Sequence, residues 1–566
     1  MKKQSLALCL GSLAMLVTPL LTSCGGSGNG GKGEKIDTTK TQIKVGTFNG
    51  GFGMDWLNEA KARFEEKYAT TSFEEGKTGV QVLVYGNKSD YTGTSLSGRA
   101  LDKDIYFTEM VDILSFINAG KIADITDIVK EDLGNITDGA EAGKTIEGKL
   151  DPAFKSYFTQ VDGNYYALPF YDGVYGIVCD VDYFSKNQWM FDEDGDFCSE
   201  KFANAGLDGI KGTYDDGLPR NVNEWQQLCA KIKDSGVIPF CYYGADAESY
   251  VNEAAKSIWT TVEGKEKFNT SLSFRGELDL VKPETINIAK TNDPETGAEL
   301  TNGTYETEKV QITDANLYEV QRTPGKLEMF RFIDEVVLGA GNYKKNKSTF
   351  LDMQRNFIET PEYADAENDR YAMTFDGAWW QNEAKDVFQT LENAGRKGAM
   401  ERRFVFMPVP TQNGIKDQVI MSANESFAFV NKNAEHLDLA KLLFQFLHTD
   451  NEMQLFTKST ATSRALNYSI PESWLEGNDL SYFTKSMIYL KNHSEFVYPY
   501  SANPIVGKNY SKFDFRGEWP FSSTIHGTNT KSPFVYLRDN QTDDAVDYFK
   551  GSLAYFNTDW YNKLIK

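Results

Sequence analysis

The sequence predicts an α/β fold, a doubly wound sheet in a chain long enough for more than one domain. Three observations lead there. Residues 42–84 read as strand, glycine turn, helix and strand. Segments of strand length then recur between helical stretches as far as about residue 460. At 566 residues the chain exceeds what one hydrophobic core organises, so two or more domains are expected.

Taken in order, Gln42-Ile43-Lys44-Val45-Gly46-Thr47-Phe48 alternates as a strand does and breaks into Asn49-Gly50-Gly51-Phe52-Gly53. Trp56, Leu57, Ala60, Phe64 and Tyr68 fall on one stripe at helical spacing, and Val80, Val82 and Val84 alternate again. A right-handed crossover makes the two strands parallel neighbours, and such sheets bind ligands at the carboxyl ends of their strands. The Asn49–Gly53 turn lies at that end, with the free N–H groups of the next helix aimed the same way. Asp104-Ile105-Tyr106-Phe107 reads as a third strand, followed by an amphipathic helix around Val111–Asn118. Tyr165–Phe170 and Gly176–Cys179 predict a second sheet. Arg403–Val409 is extended and Glu425–Val430 is a further strand. Helices carrying Leu437, Ala440, Leu443, Phe444 and Leu447, then Met453 and Phe456, follow. The polar stretch from about Lys265 to Pro324 reads as an inserted loop or small β element.

The chain carries 81 acidic against 59 basic residues, a formal charge of −22, which argues against a nucleic-acid partner. Lys2 and Lys3 ahead of the apolar run Leu6–Leu21 form the charged and hydrophobic regions of an export signal. Beyond that signal no apolar run approaches the roughly 18 residues a spanning helix requires. Cys179, Cys198, Cys229 and Cys241 match no disulfide framework and are expected to be free. The four histidines are scattered, so nothing points to zinc.

The signal ends in Leu21-Thr22-Ser23-Cys24, which resembles the lipobox of bacterial lipoproteins. That resemblance implies removal of residues 1–23 and lipid on Cys24, holding the protein at the extracytoplasmic face of the cell membrane. Residues 24–40, opening with the Gly/Ser/Asn-rich run Gly25–Gly33, form the flexible tether. Two or more acyl chains hold a protein firmly where one holds it marginally.

Four segments carry a second resemblance: Gly50–Leu57; Gly163-Asn164-Tyr165-Tyr166-Ala167-Leu168-Pro169-Phe170; Met373-Thr374-Phe375-Asp376-Gly377-Ala378-Trp379-Trp380; and Ala440 to Ser463, closing on Thr462-Ser463-Arg464. Their order and spacing resemble the family 1 extracellular solute-binding proteins of bacterial carbohydrate ABC importers, the family that includes maltose-binding protein. The resemblance implies a two-lobed periplasmic-binding-protein-like fold with an interlobe cleft. Lobe one is expected at 41–160 plus 411–458, and lobe two at 161–410 plus 459–566. The Asp-rich segment 192–217, the insert at about 265–324 and a long C-terminal extension depart from the shorter members.

A sugar offers hydroxyls that donate and accept, and apolar C–H faces, so its site pairs carboxylate, amide or guanidinium groups with flat rings. Trp379 and Trp380 follow a glycine that breaks a strand, and at least one is expected to face the cleft. The competing reading puts both indoles in the core. Tyr171 and Asp172 lie just past the Leu168-Pro169-Phe170 strand, where the family crossing implies the cleft. Asn424 and Glu425, after the return to lobe one, are placed to fork to vicinal hydroxyls, as is Arg464 from lobe two. For these three the alternative is a surface or hinge salt bridge. Asn49 is the expected lobe-one contact, with Gly51 and its glycine neighbours allowing close approach.

Asp192, Asp194 and Asp196, then Asp208, Asp215 and Asp216, set carboxylates on glycine turns, which suits a structural calcium ion. Phe197 and Ala203 stand where an EF-hand needs Gly and Glu, and a solvated acidic loop is the competing reading. Gly26–Gly31 imitates a dinucleotide fingerprint inside the tether, and Gly139–Thr145 falls one residue short of a P-loop. The expected protein is therefore a monomeric, carbohydrate-binding lipoprotein without turnover or cofactor, delivering an oligosaccharide to ABC permease subunits. Its rivals are an extracellular glycoside hydrolase, whose two carboxylates need no sequence signature, a sensor or adhesin, and a binder of peptide or polyamine.

Overall fold

The computed structural model describes residues 35–242, 247–345, 350–363, 371–395, 402–409, 418–422, 426–477, 479–499 and 532–555. The export signal, Cys24 and most of the tether lie outside the described residues, as do Asn424 and Glu425.

Two five-stranded sheets form the cores of two α/β lobes. In the first, β1 (Thr41–Phe48) pairs in parallel with β2 (Val80–Asn87) and β3 (Ile105–Glu109). The helix between β1 and β2 spans Asp55–Lys67 and buries Trp56, Leu57, Ala60 and Phe64. Asp55 in its first turn and Lys67 in its last complement the helix dipole. β4 (Ala167–Pro169) and β11 (Ser426–Val430) complete the order β2-β1-β3-β11-β4, with β11 antiparallel to both neighbours. Helices Leu437–Phe446 and Asp450–Thr460 close this lobe, where Phe456 meets the indole of Trp56 edge-on at 5.1 Å.

The second sheet joins β5 (Tyr175–Asp180), β6 (Ile238–Tyr242), β7 (Tyr343–Lys345), β8 (Tyr371–Gly377) and β9 (Phe404–Met407) in the order β7-β6-β8-β5-β9. β6, β7 and β8 run parallel, while β5 and β9 are antiparallel partners. A helical segment Ala247–Ser273, kinked at Gly264 (φ 70°), packs beside them. The polar insert then forms two antiparallel strand pairs, Gly276–Val281 with Thr307–Ile312 and Asn287–Asn292 with Glu299–Thr304.

Two corrections follow. The run ending Leu168-Pro169-Phe170 does not open the second sheet, because β4 pairs with β11 in the first at Phe427↔Pro169. The first crossing is therefore Phe170–Val174, later than residue 160. A short buried run carries no mark of which sheet it joins. β10 (Val419–Met421) and β12 (Glu495–Val497) form a parallel pair of their own between the later crossings. The three crossings are bonded together: Asp172 N–H donates to the Ser463 carbonyl (2.8 Å), and Gly173 N–H donates to Ser422 Oγ (3.0 Å).

Candidate functional site

The carboxyl ends of β1, β2, β3 and β4, the start of β5 and the end of β8 all face the seam between the lobes. On the first lobe the turn after β1 closes through Gly53 N–H donating to the Gly50 carbonyl (3.1 Å), with Gly53 at φ 70°. Asn49 is half-buried there, its backbone N–H donating to Asn87. β3 ends in Glu109, whose carboxylate accepts a hydrogen bond from the Tyr171 hydroxyl. Burial, reinforced by Glu109, holds that phenol well above the ordinary tyrosine range.

On the second lobe three rings meet edge to face. Tyr175 lies 5.1 Å from Trp379 and 5.2 Å from Tyr250, with interplanar angles of 88° and 64°. Such arrangements suit the aromatic quadrupole, and Trp379, only 7% exposed, packs on Gly51 and Gly377. Behind them Asp376 accepts from Gly377 N–H (2.7 Å) and Gln354 Nε2 (2.9 Å). Burial and the nearby Glu383 carboxylate nevertheless keep Asp376 well above the carboxylate range. Burial pushes Glu383 itself up to about 7, with Lys88 of the first lobe opposing the rise and Glu109 adding to it.

The lobes touch along Trp379–Lys385. Trp379 rests on Gly51, Asn382 Nδ2 donates to the Thr460 carbonyl (2.6 Å), and Lys385 pairs with Asp55 (3.2 Å). Glu383 sits between these contacts, half-buried. A surface ion pair such as Lys385–Asp55 contributes little, so the indole and the amide hold this edge.

The residues expected from sequence separate into two groups. Asn49, Gly51, Tyr171 and Trp379 lie along the seam, Asn49 and Gly51 half-buried and Tyr171 and Trp379 buried at 2% and 7% exposure, so both indoles of the tryptophan pair are core side chains as the competing reading had it. Trp380 does not lie there: it is fully buried, donating from Nε1 to Gln354 Oε1 at 2.6 Å. Asp172 is wholly buried in the hinge, accepting from Lys491 (3.0 Å), Ser463 Oγ (2.6 Å) and Tyr498 (3.1 Å). Arg464 is wholly buried among the rings of Trp56, Phe107, Phe170 and Phe456, with its guanidinium 2.8 Å from His448 Nε2. Glu109, Tyr175, Tyr250 and Glu383 were not expected. Glu109 had a readable signal, since it ends a parallel strand two residues beyond the predicted limit of Phe107.

The Asp-rich segment braces turns. Asp192 Oδ1 accepts the N–H groups of Asp194 and Asp196, and Asp208 accepts from Ile210 N–H and the Tyr489 hydroxyl. Asp215 accepts from Leu207 N–H and Thr213 Oγ1, and Asp216 from Gly212 N–H. Among the described residues no three His, Cys, Asp or Glu side chains are grouped to hold a metal ion. A separate cavity of about 830 Å³ lies on the hinge side, lined in part by Lys144, Lys149, Lys265 and Lys491. Each of these lysines is already ion-paired, with Asp450, Glu141, Asp151 and Asp172 respectively.

Comparison with known proteins agrees with the two-lobed architecture. The family model described as bacterial extracellular solute-binding protein matches residues 55–454. The solute-binding protein RafE in complex with raffinose superposes with a TM-score of 0.51 at 15% identity, covering 92% of this chain and 99% of that one. The apo form of RafE from Streptococcus pneumoniae also gives 0.51 at 15% identity, covering 93% and 99%. At that identity the likeness is one of fold. No curated protein matches by sequence.

Proposed function

Since this chain belongs to the bacterial extracellular solute-binding proteins, we propose that it captures an oligosaccharide between its lobes and delivers it to the permease of an ABC importer. One observation carries the sugar class. The rings of Tyr175, Tyr250 and Trp379 stand at the seam with the carboxylates of Glu109 and Glu383, joining apolar faces to strong acceptors. RafE, alike in fold, is known with raffinose, which supports starting with that sugar. Capture works by closure. A ligand touching both lobes binds the closed state better and shifts the population toward it, and the bonded crossings around Asp172 are where the chain bends. No bond in the ligand is made or broken, and no cofactor is called for. The lipid on Cys24 and the glycine-rich leash keep the receptor beside its permease at the outer face of the membrane.

The test is calorimetric titration and thermal shift of residues 35–566 against a glycan panel beginning with raffinose. A saturable rise in melting temperature is the expected result, because a ligand that binds only the native state stabilises it by mass action. Hits among peptides or polyamines with none among glycans would overturn the sugar class, and sugar products on chromatography would favour a hydrolase. Cys24→Ala should move the full-length protein from the membrane to the soluble fraction. Continued membrane retention would count against the anchor.

A further inference from the structure

The cavity on the hinge side is walled from both lobes. Lys144 and Lys149 reach it from the first lobe, Lys149 as the last residue of the short helix Ile146–Lys149. Lys265, one residue past the Gly264 kink, and Lys491, on the helix Tyr482–His493 that packs against β9, reach it from the second. The ion pair Lys265–Asp151 (2.9 Å) joins the lobes across it.

Ion pairing leaves these four ammonium groups unequal, since each has three protons to donate. Lys149, buried, is surrounded by three acceptors: Glu141 (2.7 Å), Asp450 (2.8 Å) and the His448 carbonyl (3.0 Å). Lys491 donates to Asp172 and to the Arg464 carbonyl, both at 3.0 Å. Among the described residues Lys144 donates only to Asp450 (2.8 Å) and Lys265 only to Asp151, and their side chains are 56% and 32% exposed. The carboxylates are more fully engaged. The second oxygen of Asp151 accepts Ala153 N–H (2.9 Å), and that of Asp450 faces Lys149. Glu495, exposed, is the lining carboxylate that has no ion pair among the described residues. What remains open is chiefly cationic donor capacity, most of it on Lys144 and Lys265.

The remaining lining says what carries the matching acceptor. A volume of about 830 Å³ lies in the range of small-molecule sites and is far larger than a bare oxyanion needs. The side chains of Asn467, Ser469 and Ser494 also line it, offering neutral donors and acceptors of the kind that bind hydroxyls. The run Gly139–Thr145 ends at this wall without cradling an anion through its backbone, because Gly143 N–H is turned onto Asp132 (2.9 Å) and Lys144 N–H onto the Glu141 carbonyl (3.0 Å). The ammonium heads are left to supply the charge.

We infer that this cavity is a second binding site, taking a sugar that bears an oxyanion, either a phosphate ester or a carboxylate, with the anion at Lys144 and Lys265 and the hydroxyls at the amide and the two serines. It is separate from the seam and independent of the reading of the seam as a glycan site. An anion held by one lysine from each lobe binds differently as the lobes move, so occupancy here is linked to closure.

The probes are glucose 6-phosphate, glucuronate, inorganic phosphate and glucose, titrated calorimetrically into the full chain in mild detergent at low ionic strength. Saturable binding of at least one charged sugar is expected, at least about tenfold tighter than glucose or phosphate, and which of the two binds identifies the anion. Lys144→Gln and Lys265→Gln should each weaken it by about tenfold, the loss of one charge-assisted hydrogen bond. Lys265→Arg keeps the charge and should stay within about threefold of the wild type. Lys385→Gln, which removes a cation at the seam, should leave it unchanged. Melting temperatures taken alongside check that each variant is folded. Absence of saturable binding by both charged sugars would overturn the inference, as would equal binding of glucose or of phosphate. Binding that survives both glutamine substitutions, or that is lost in Lys385→Gln, would place the ligand elsewhere and overturn it too.

Discussion

The indole of Trp379 rests on Gly51: a β-carbon at position 51 would stand 2.5 Å from Cδ1 and 2.6 Å from Cγ of that ring. One residue belongs to the turn after β1 and the other follows β8, so the missing side chain at 51 sets how closely the lobes approach. Gly51→Val should prop the seam open. The expected outcome is a larger radius of gyration by small-angle scattering and at least about tenfold weaker glycan binding, about 1.4 kcal/mol. Because the clash falls on the contact between the lobes and not within either core sheet, the melting temperature should fall less than the affinity does. Unchanged affinity would show that closure does not require this contact.

The neighbouring tryptophans should behave as opposites. Trp380 packs against Phe404 and Phe483 at 4.9 and 5.3 Å and donates to Gln354, which in turn donates to Asp376. Trp380→Ala removes a core side chain and unhooks that relay, with an expected loss of about 3–5 kcal/mol in urea unfolding. Trp379 is also buried, but its contacts are Gly51, Gly377 and Tyr175 at the seam, so Trp379→Ala should cost less stability than Trp380→Ala and show a further effect in ligand titration. Equal losses of stability would contradict the division of the pair into core and seam.

That division also shows where sequence reasoning reached and where it stopped. The strand, turn, helix and strand over residues 41–87 were legible because a period of two and a period of 3.6 alternate cleanly there, and the long apolar helices after residue 437 were legible for the same reason. β4 was read into the second sheet because three buried residues in a row carry no periodicity and no address. Arg464 looks like a ligand group in sequence, yet it is enclosed by four rings, and three of them, Trp56, Phe107 and Phe170, come from distant segments that only the tertiary fold brings near. Trp379 and Trp380 are both buried, at 7% and 0% exposure, and differ in what they pack against, the first on Gly51 across the seam and the second among Phe404 and Phe483, a distinction that depends on where β8 ends.

Asp172 joins the crossings, and its loss should be felt as stability. It is fully buried and carries the Lys491 ammonium, itself only 6% exposed along the side chain, together with Ser463 and Tyr498. Asp172→Ala leaves a buried lysine uncompensated, and such single deletions cost about 3–5 kcal/mol. Asp172→Asn keeps the shape and a carbonyl acceptor and should fall between. Denaturant titration of the three proteins checks the order. A mild effect of the alanine variant would mean that water reaches Lys491 at the crossing.

Stability should fall as pH rises through mild acidity, opposite to the behaviour of a protein held by exposed ion pairs. Burial, the largest cause in each case, raises Glu263, Glu335 and Glu383 from 4.5 to about 7 and Asp180 and Asp215 from 3.8 to about 6. A carboxyl whose folded pKa exceeds its unfolded one binds more protons in the native state, so its stabilisation is complete below the unfolded value and is lost as pH climbs to the folded one. His448 opposes this. Burial and Arg464 depress it well below 6.5, so the unfolded chain takes up that proton first and stability gains with pH up to about that value. One histidine stands against these carboxyls, to which Asp376, Asp216, Glu328 and Asp334 add in the same direction, and the net slope between about pH 4.5 and 7 should remain downward. Above about 7 the buried Lys326, lowered from 10.5 to about 7 by desolvation, reverses the trend. Melting temperatures at constant ionic strength should therefore decline from pH 5 to 7, and Glu383→Gln should make that decline shallower by removing one of these groups. A rising curve over this interval would mean that these carboxyls are hydrated in solution and that the Glu383 environment is open.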